Sequence, residues 1–143
     1  MSIKARSIIE IVGGPKEYVD KAMGVVVEKL RTHKTLKVLS EHVFEAKPLE
    51  GKKPLFSAFC ELDLEMKDMA DLFGFCFDFM PSSIEIYEPA QLPLKIDAVN
   101  DMVNELISKL HQYDMAFKNV YAQNIMLKRK YEGEEQKEDK KTK

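Results

Sequence analysis

The chain has 143 residues, of which 45% are apolar and 32% charged, a composition typical of a soluble globular domain and not of a disordered chain. The length suffices for one domain with a core but not for two ordinary domains. A formal charge of −2 excludes a general attraction to nucleic acid or anionic lipid. The sequence has no run of about 18 apolar residues and no signal-peptide pattern at its start, so we expect a cytoplasmic protein without a membrane segment.

The first two elements are predicted to be a strand and an amphipathic helix. Residues 6–12 form a β-branched run that ends at Gly13-Gly14-Pro15, a combination typical of a strand end, a turn and a helix start. In residues 16–33 the apolar side chains recur with a period of 3.6 residues. This period predicts a helix that buries one face.

A hairpin, a second helix and a fourth strand are predicted to follow. Residues 36–46 are rich in strand formers, and residues 54–66 alternate between apolar and polar side chains. Asp68 has the chemistry of an N-cap for an apolar helix over 69–80, and residues 83–88 form the last predicted strand. The order strand, helix, strand, strand, helix, strand is the ferredoxin-like βαββαβ arrangement. We therefore predict an α+β fold for residues 1–94.

The alternation along each strand predicts which side chains face the two helices. Phe56, Cys60 and Leu64 are expected to face the helices from the third strand, as are Ile84 and Ile86 from the fourth. The second strand has two possible phases. The phase that buries Leu36, Val38 and Phe44 places Leu39, Glu41, Val43 and Glu45 on the opposite, open face.

Residues 95–132 are predicted to form one long helix, followed by a disordered charged tail over 133–143. Ten positions in the helix follow alternating steps of three and four residues, the spacing of a coiled coil. The predicted oligomer seam consists of Val103, Leu106, Leu110, Tyr113, Phe117, Val120, Asn124, Leu127 and Tyr131.

The length of this helix decides how much of the seam its own domain could cover. A helix of this size is roughly 55 Å long, whereas a globule of about 90 residues is roughly 30 Å across. We therefore expect the helix to extend beyond its own domain and to pair with a second copy. Asn124, a polar residue in the seam, is the device that fixes register in parallel coiled coils. Two alternatives stay open: the helix folds back across the sheet, or the paired helices are antiparallel.

The open face of the sheet is a second predicted binding surface, suited to a protein partner or a small apolar ligand. The predicted surface consists of Leu39, Val43, Leu55, Phe59 and Tyr87. Carboxylates such as Glu61 and Asp63 are expected on the same face. Because a sheet that binds RNA places basic groups among its aromatic residues, we do not expect this face to bind nucleic acid.

The chemistry of catalysis is poorly represented in the sequence. His33, His42 and His111 are not at metal-ligand spacing from a cysteine or from one another. Cys60 and Cys76 are flanked by phenylalanines, which favours buried, inert thiols. We therefore predict no catalytic residue, no metal site and no cofactor.

A basic segment near the end of the long helix supports an alternative function. Lys128, Arg129 and Lys130 are candidate contacts for nucleic acid, as in a ribosome-associated protein. Acidic residues follow them closely, and lysines at a helix C-terminus also complement the helix dipole. Nucleic acid is therefore the less favoured partner.

Residues 65–94 carry a resemblance to a known family. The segment comprises a strand end, an apolar helix and the sequence SSIEIYEPAQL, with Glu85, Pro89 and Leu92 before the final helix. It resembles the end of the C-terminal extension domain of WYL-type bacterial regulators. The resemblance implies a ferredoxin-like fold and a regulatory or ligand-sensing role, and it transfers no site residue. Together with the seam, it predicts a non-enzymatic, homodimeric assembly or regulatory module.

Overall fold

The computed structural model describes residues 2–51 and 53–142 and divides into two compact units, Met1–Ala98 and Val99–Lys143. Its elements, in chain order, are β1 (Ile3–Gly13), α1 (Lys16–Arg31), β2 (Leu36–Val43), β3 (Lys47–Pro48), β4 (Phe56–Met66), α2 (Met69–Phe79), β5 (Ser83–Glu88) and α3 (Ile96–Lys141).

The sheet of the first unit has the strand order β2-β4-β1-β5, and each neighbouring pair is antiparallel. Without β3, this is the ferredoxin-like order, so the predicted α+β fold is confirmed. The two-residue strand β3 pairs with the start of β4 at Ser57 and Phe56. It lies inside the segment that the sequence predicted only as a hairpin loop.

The core of this unit lies between the sheet and both helices. It combines alternate side chains of β1 and β4 with one face each of α1 and α2. The members that are most deeply buried are Ile3, Ala5, Met23, Leu30, Ala58, Cys60, Leu62, Leu64, Met66 and Phe75. Ser7 is also fully buried, and its hydroxyl donates a hydrogen bond of 2.8 Å to the carbonyl of Ser83. This bond satisfies the buried hydroxyl and ties β1 to β5.

Helix α2 begins and ends as its sequence predicts. The Asp68 carboxylate accepts a hydrogen bond of 3.0 Å from the amide of Asp71, which caps the N-terminus. Met80 adopts a left-handed conformation with φ of 45° at the C-terminus, immediately before Pro81. Although α2 is apolar around most of its circumference, only Leu72 and Phe75 are fully buried.

The predicted faces of β2 are wrong beyond Val38, because the strand contains a β-bulge. Val38 pairs with Leu64, but Ser40 pairs with Asp63, so Leu39 has no partner across the ladder. An extra residue in one strand reverses the alternation of all that follow. Glu41 and Val43 therefore lie on the helix side, opposite Leu62 and Cys60, and Phe44 lies on the open face, where its amide donates to the carbonyl of Phe59.

Two side-chain contacts agree with this reversal. The Glu41 carboxylate forms an ion pair with Arg31 of α1. The Ser40 hydroxyl donates a hydrogen bond of 3.2 Å to Asp63 on the open face.

Strand β5 is oriented as predicted but is not buried. Ile84 and Ile86 lie opposite Ser7 and Ala5, which places them on the helix side, yet their side chains are 36% and 41% exposed. The expected burial is wrong because β5 is an edge strand whose extensive contacts are with β1.

Helix α3 is 46 residues long and continues to Lys141, nine residues beyond its predicted end. Residues 133–141 are therefore helical in the structure, and the expected disordered tail is wrong there. The physical reason is that Glu, Gln and Lys are strong helix formers and that extending an existing helix requires no new nucleation. Lys140 and Lys141 in the last turn also complement the helix dipole.

The bulge predicts that Glu41 and Arg31 are coupled. We expect E41R to lower the midpoint of thermal unfolding, followed by circular dichroism, because it places two guanidinium groups together. Adding R31E to the same chain should recover most of the loss. H42R, one position further along on the open face, serves as the control and should gain nothing from R31E. An E41R loss that R31E leaves unchanged would contradict the bulge.

Candidate functional site

The predicted seam residues of α3 form one exposed stripe along the helix. All nine are exposed in the structure, and the apolar members range from 36% exposed at Leu106 to 69% at Phe117. Steps of three and four residues average 3.5 and hold one face of an α-helix. We call this stripe the α3 seam.

Two further apolar side chains widen the α3 seam on one side. Ile107 and Tyr121 each follow a seam residue directly and are exposed. The rings of Phe117 and Tyr121 are stacked with centroids 6.4 Å apart. The sequence reasoning did not place Tyr121 in the seam, although its spacing of seven residues from Asp114 marks a position that flanks a coiled-coil seam.

The length of α3 limits how much of it one domain can cover. Forty-six residues span about 69 Å at 1.5 Å per residue, whereas a globule of 98 residues is about 33 Å across. A unit of this size could therefore cover only about half of the length of α3.

One end of the open sheet face is charged, and its charges alternate from strand to strand. Lys37, Glu65, Lys4 and Glu88 form one row across the four strands, and Ser40, Asp63, Arg6 and Glu85 form the next. Lys4 contacts Glu88 at 2.6 Å and Arg6 contacts Asp63 at 3.3 Å. Each cation at this end lies beside carboxylates. The two rows therefore have no excess of positive charge that would attract a phosphate backbone.

The other end of the open face is apolar. Five large apolar side chains are exposed there, on neighbouring strands or on the segments that directly continue those strands. They are Val12, Phe44, Leu49, Leu55 and Phe59. We call this surface the apolar end. Five exposed large side chains on one face form the kind of patch that marks an interaction site.

The structure brings together only two of the five residues predicted for open-face binding. Phe59 and Leu55 belong to the apolar end. Tyr87 lies at the charged end, where the Arg6 guanidinium is 5.7 Å from its ring centroid, Val43 faces the helix side, and Leu39 is the bulged residue. Val12, Phe44 and Leu49 were missed. Phe44 could not have been found without the bulge, which has no clear signal in the sequence.

Several titratable side chains of the open face line one depression, and Glu10 lies apart from them. A shallow depression of about 280 Å³ is lined by Arg6, Ser40, His42, Glu61 and Asp63, with Glu41 and Leu62. Glu10 lies outside it and accepts a hydrogen bond of 2.8 Å from Ser57. Within residues 2–51 and 53–142, no three His, Cys, Asp or Glu side chains are grouped to hold a metal ion.

Burial disfavours the reactive thiolate form of both cysteines. It raises the pKa of Cys60 to about 11 and raises the pKa of Cys76 as well. Cys60 is buried in the core as expected, whereas Cys76 is only partly buried and packs against the core, so its expected full burial is wrong.

The basic residues near the end of α3 do not share one face. Lys128, Arg129 and Lys130 are consecutive and exposed, so they point about 100° apart around the helix. Glu132, Glu134 and Glu135 follow within two turns. A concentrated basic face for nucleic acid is therefore not formed by these three residues alone, and the nucleic-acid alternative stays a prediction.

The fold and the α3 seam together define an α+β protein of ferredoxin-like strand order that carries a long helix with an exposed heptad stripe. The chain belongs to the MJ0538 family, whose model matches residues 4–138. The match therefore includes the sheet unit and nearly all of α3. No curated protein and no solved structure gives a significant match.

The resemblance of residues 65–94 to WYL-type regulators stays a prediction, because the family match does not name them. Among the residues that the structure describes, no helix combines the length and the apolar character needed to cross a bilayer.

The apolar end can be tested with a dye that binds exposed apolar surface, 8-anilinonaphthalene-1-sulfonate. We expect the double variant F44S/F59S to lower the dye fluorescence of the native protein. E61S, a polar neighbour on the same strand and face, should leave the fluorescence unchanged. Equal fluorescence from wild type and F44S/F59S, with both folded by circular dichroism, would show that these rings do not form an accessible patch.

Proposed function

We propose that the protein is a homo-oligomeric assembly or regulatory module that associates with itself through the α3 seam. The observation that carries the proposal is the exposure of eight large apolar side chains at heptad positions of one helix. Most of the stability of a helix in a protein comes from packing of its apolar face, and an apolar stripe of this length is stabilised when a matching stripe covers it.

The polar members of the α3 seam support a defined assembly. Tyr113 and Tyr131 combine a large apolar ring with a hydroxyl that can stay in contact with water. Asn124 lowers the stability of an apolar seam but restricts it to registers in which its amide finds a partner. An uninterrupted aliphatic seam would lack this restriction.

The open sheet face is proposed as the second functional surface. Its apolar end would bind an apolar part of a protein partner or a small apolar ligand, with the charged rows beside it orienting that partner. The resemblance of residues 65–94 to WYL-type regulators is what suggests that such binding regulates the assembly.

Self-association is tested by charge substitution in the α3 seam. We expect F117K to lower the molar mass in solution, measured by light scattering, because it places a lysine from each copy in the seam. M115K is a matched control, since Met115 is also apolar and 64% exposed but lies outside the seam. M115K should keep the mass of the wild type.

Truncation after Leu110 provides a second test of the same proposal. The truncated protein loses the seam from Tyr113 onward and should be smaller than the wild-type oligomer in subunit number. A truncated protein with the oligomeric state of the full chain would sink the proposal.

A further inference from the structure

We propose that the partner of α3 is the α3 helix of a second copy, aligned parallel and in register. This inference rests on the proposed self-association and adds the direction and alignment of the two helices. It is carried by the residues inside and beside the α3 seam, because these decide which alignments are complementary in charge.

The heptad positions follow from the spacing of the seam. Positions followed by a step of three are a positions, and they are Val103, Leu110, Phe117, Asn124 and Tyr131. Positions followed by a step of four are d positions, and they are Val99, Leu106, Tyr113, Val120 and Leu127. In a parallel pair in register, every a residue meets the same a residue of the other helix.

Asn124 distinguishes parallel from antiparallel pairing. In the parallel pair it faces Asn124 of the second copy, and the two amides can exchange a hydrogen bond. In an antiparallel pair an a residue faces a d residue, and the d positions of this helix hold Val, Leu and Tyr. The amide of Asn124 would then be desolvated against Val or Leu in most registers.

The residues that flank the seam are complementary in the parallel pair. There, each g residue faces the e residue five positions later on the other helix. Lys109 then meets Asp114, and Lys130 meets Glu135, which are both attractive. Met102, the preceding g residue, is buried within its own chain and does not reach a second helix. The remaining flanking pairs are Ala116 with Tyr121 and Gln123 with Lys128. None of these pairs joins like charges.

Two antiparallel alignments that overlap most of the seam bring like charges together. The alignment that overlaps the seam most fully sets Phe117 opposite Tyr113 and places Asp114 of one copy beside Asp114 of the other. Sliding one helix by a heptad toward the C-terminus removes that contact but brings Lys109 beside Lys130. Such contacts destabilise a pair.

Parallel pairing also has a consequence for the open sheet face. Because α3 begins at Ile96 in each copy, a parallel pair has both helix starts at one end. A partner with two binding segments could then engage both sheet units at once, which raises its apparent affinity by effective concentration.

Disulfide trapping in the full chain tests the direction of the helices. L127C places a thiol at a d position that meets itself only in the parallel pair. We expect oxidised L127C to migrate as a cross-linked dimer, whereas wild type, which retains Cys60 and Cys76, should not. M115C, exposed but outside the seam, is the control for accidental collision. When V103C and L127C are mixed and oxidised, we expect no disulfide between one variant and the other. Such a mixed dimer would be recognised by its mass, because the two variants differ in mass.

The outcomes separate this inference from the proposal it rests on. A hetero-cross-link between V103C and L127C without the L127C homodimer would show antiparallel pairing and overturn the inference alone. A multimeric wild type in which L127C never cross-links would also overturn it. A monomeric wild type by light scattering would overturn the proposed self-association itself.

Charge reversal gives a second readout that leaves the seam intact. K109E sets a glutamate against Asp114 on both sides of the parallel pair and should weaken dimerisation roughly tenfold at low salt, with less effect at high salt. Asp114 also contacts Lys118 of its own helix at 2.7 Å, so D114K is combined with K118E to keep that ion pair. The combination in the K109E chain should restore dimerisation. A loss that the combination fails to restore would contradict the assigned flanking pairs.

Discussion

The main constraint on this structure is the length of α3 relative to the size of the folded unit. The helix has 46 residues, whereas the folded unit has only 98. A hydrophobic core supports only the part of a helix that it can reach, and a unit of this size is about 33 Å across. The rest of α3 still carries large apolar residues at every seam position except Asn124. A second helix of the same kind satisfies this constraint without any additional domain, because it presents the same stripe.

The edges of the sheet are poorly suited to pairing with a second sheet. Both edges of its sheet are interrupted by bulges, at Leu39 in β2 and where the β1–β5 register shifts between Lys4 and Ala5. Bulges and edge charges such as Glu85 discourage edge-to-edge strand pairing. The bulge at Leu39 also moves Phe44 to the open face, where it joins Phe59, and turns Glu41 toward Arg31. One extra residue therefore creates part of the apolar end and fixes β2 to α1.

The fold could be predicted from the sequence because its strong signals are local. Gly13-Gly14-Pro15, Asp68 and Pro81 mark element ends by their own chemistry, and the alternation in β4 is strict. The sequence could not predict the face of Glu41, Val43 and Phe44, since a bulge changes the partner register and leaves composition unchanged. The exposure of Ile84 and Ile86 was missed for a related reason: alternation shows which side a residue faces, but not whether another element covers it. The residues of the α3 seam were predictable because heptad spacing can be read directly from the sequence. Their partner could not be predicted in the same way, because no local sequence pattern identifies it.

Amide hydrogen exchange of the full chain at several concentrations tests the central claim most directly. If α3 is stabilised by pairing, amides of residues 113–131 should be protected at high concentration and should lose that protection together when the protein is diluted to the monomer, while residues of β1 and β4 stay protected. Exchange at 113–131 that is equally fast at every concentration would show that the seam is not covered. Protection that persists in the monomer would show that the chain covers its own seam, and it would contradict the account.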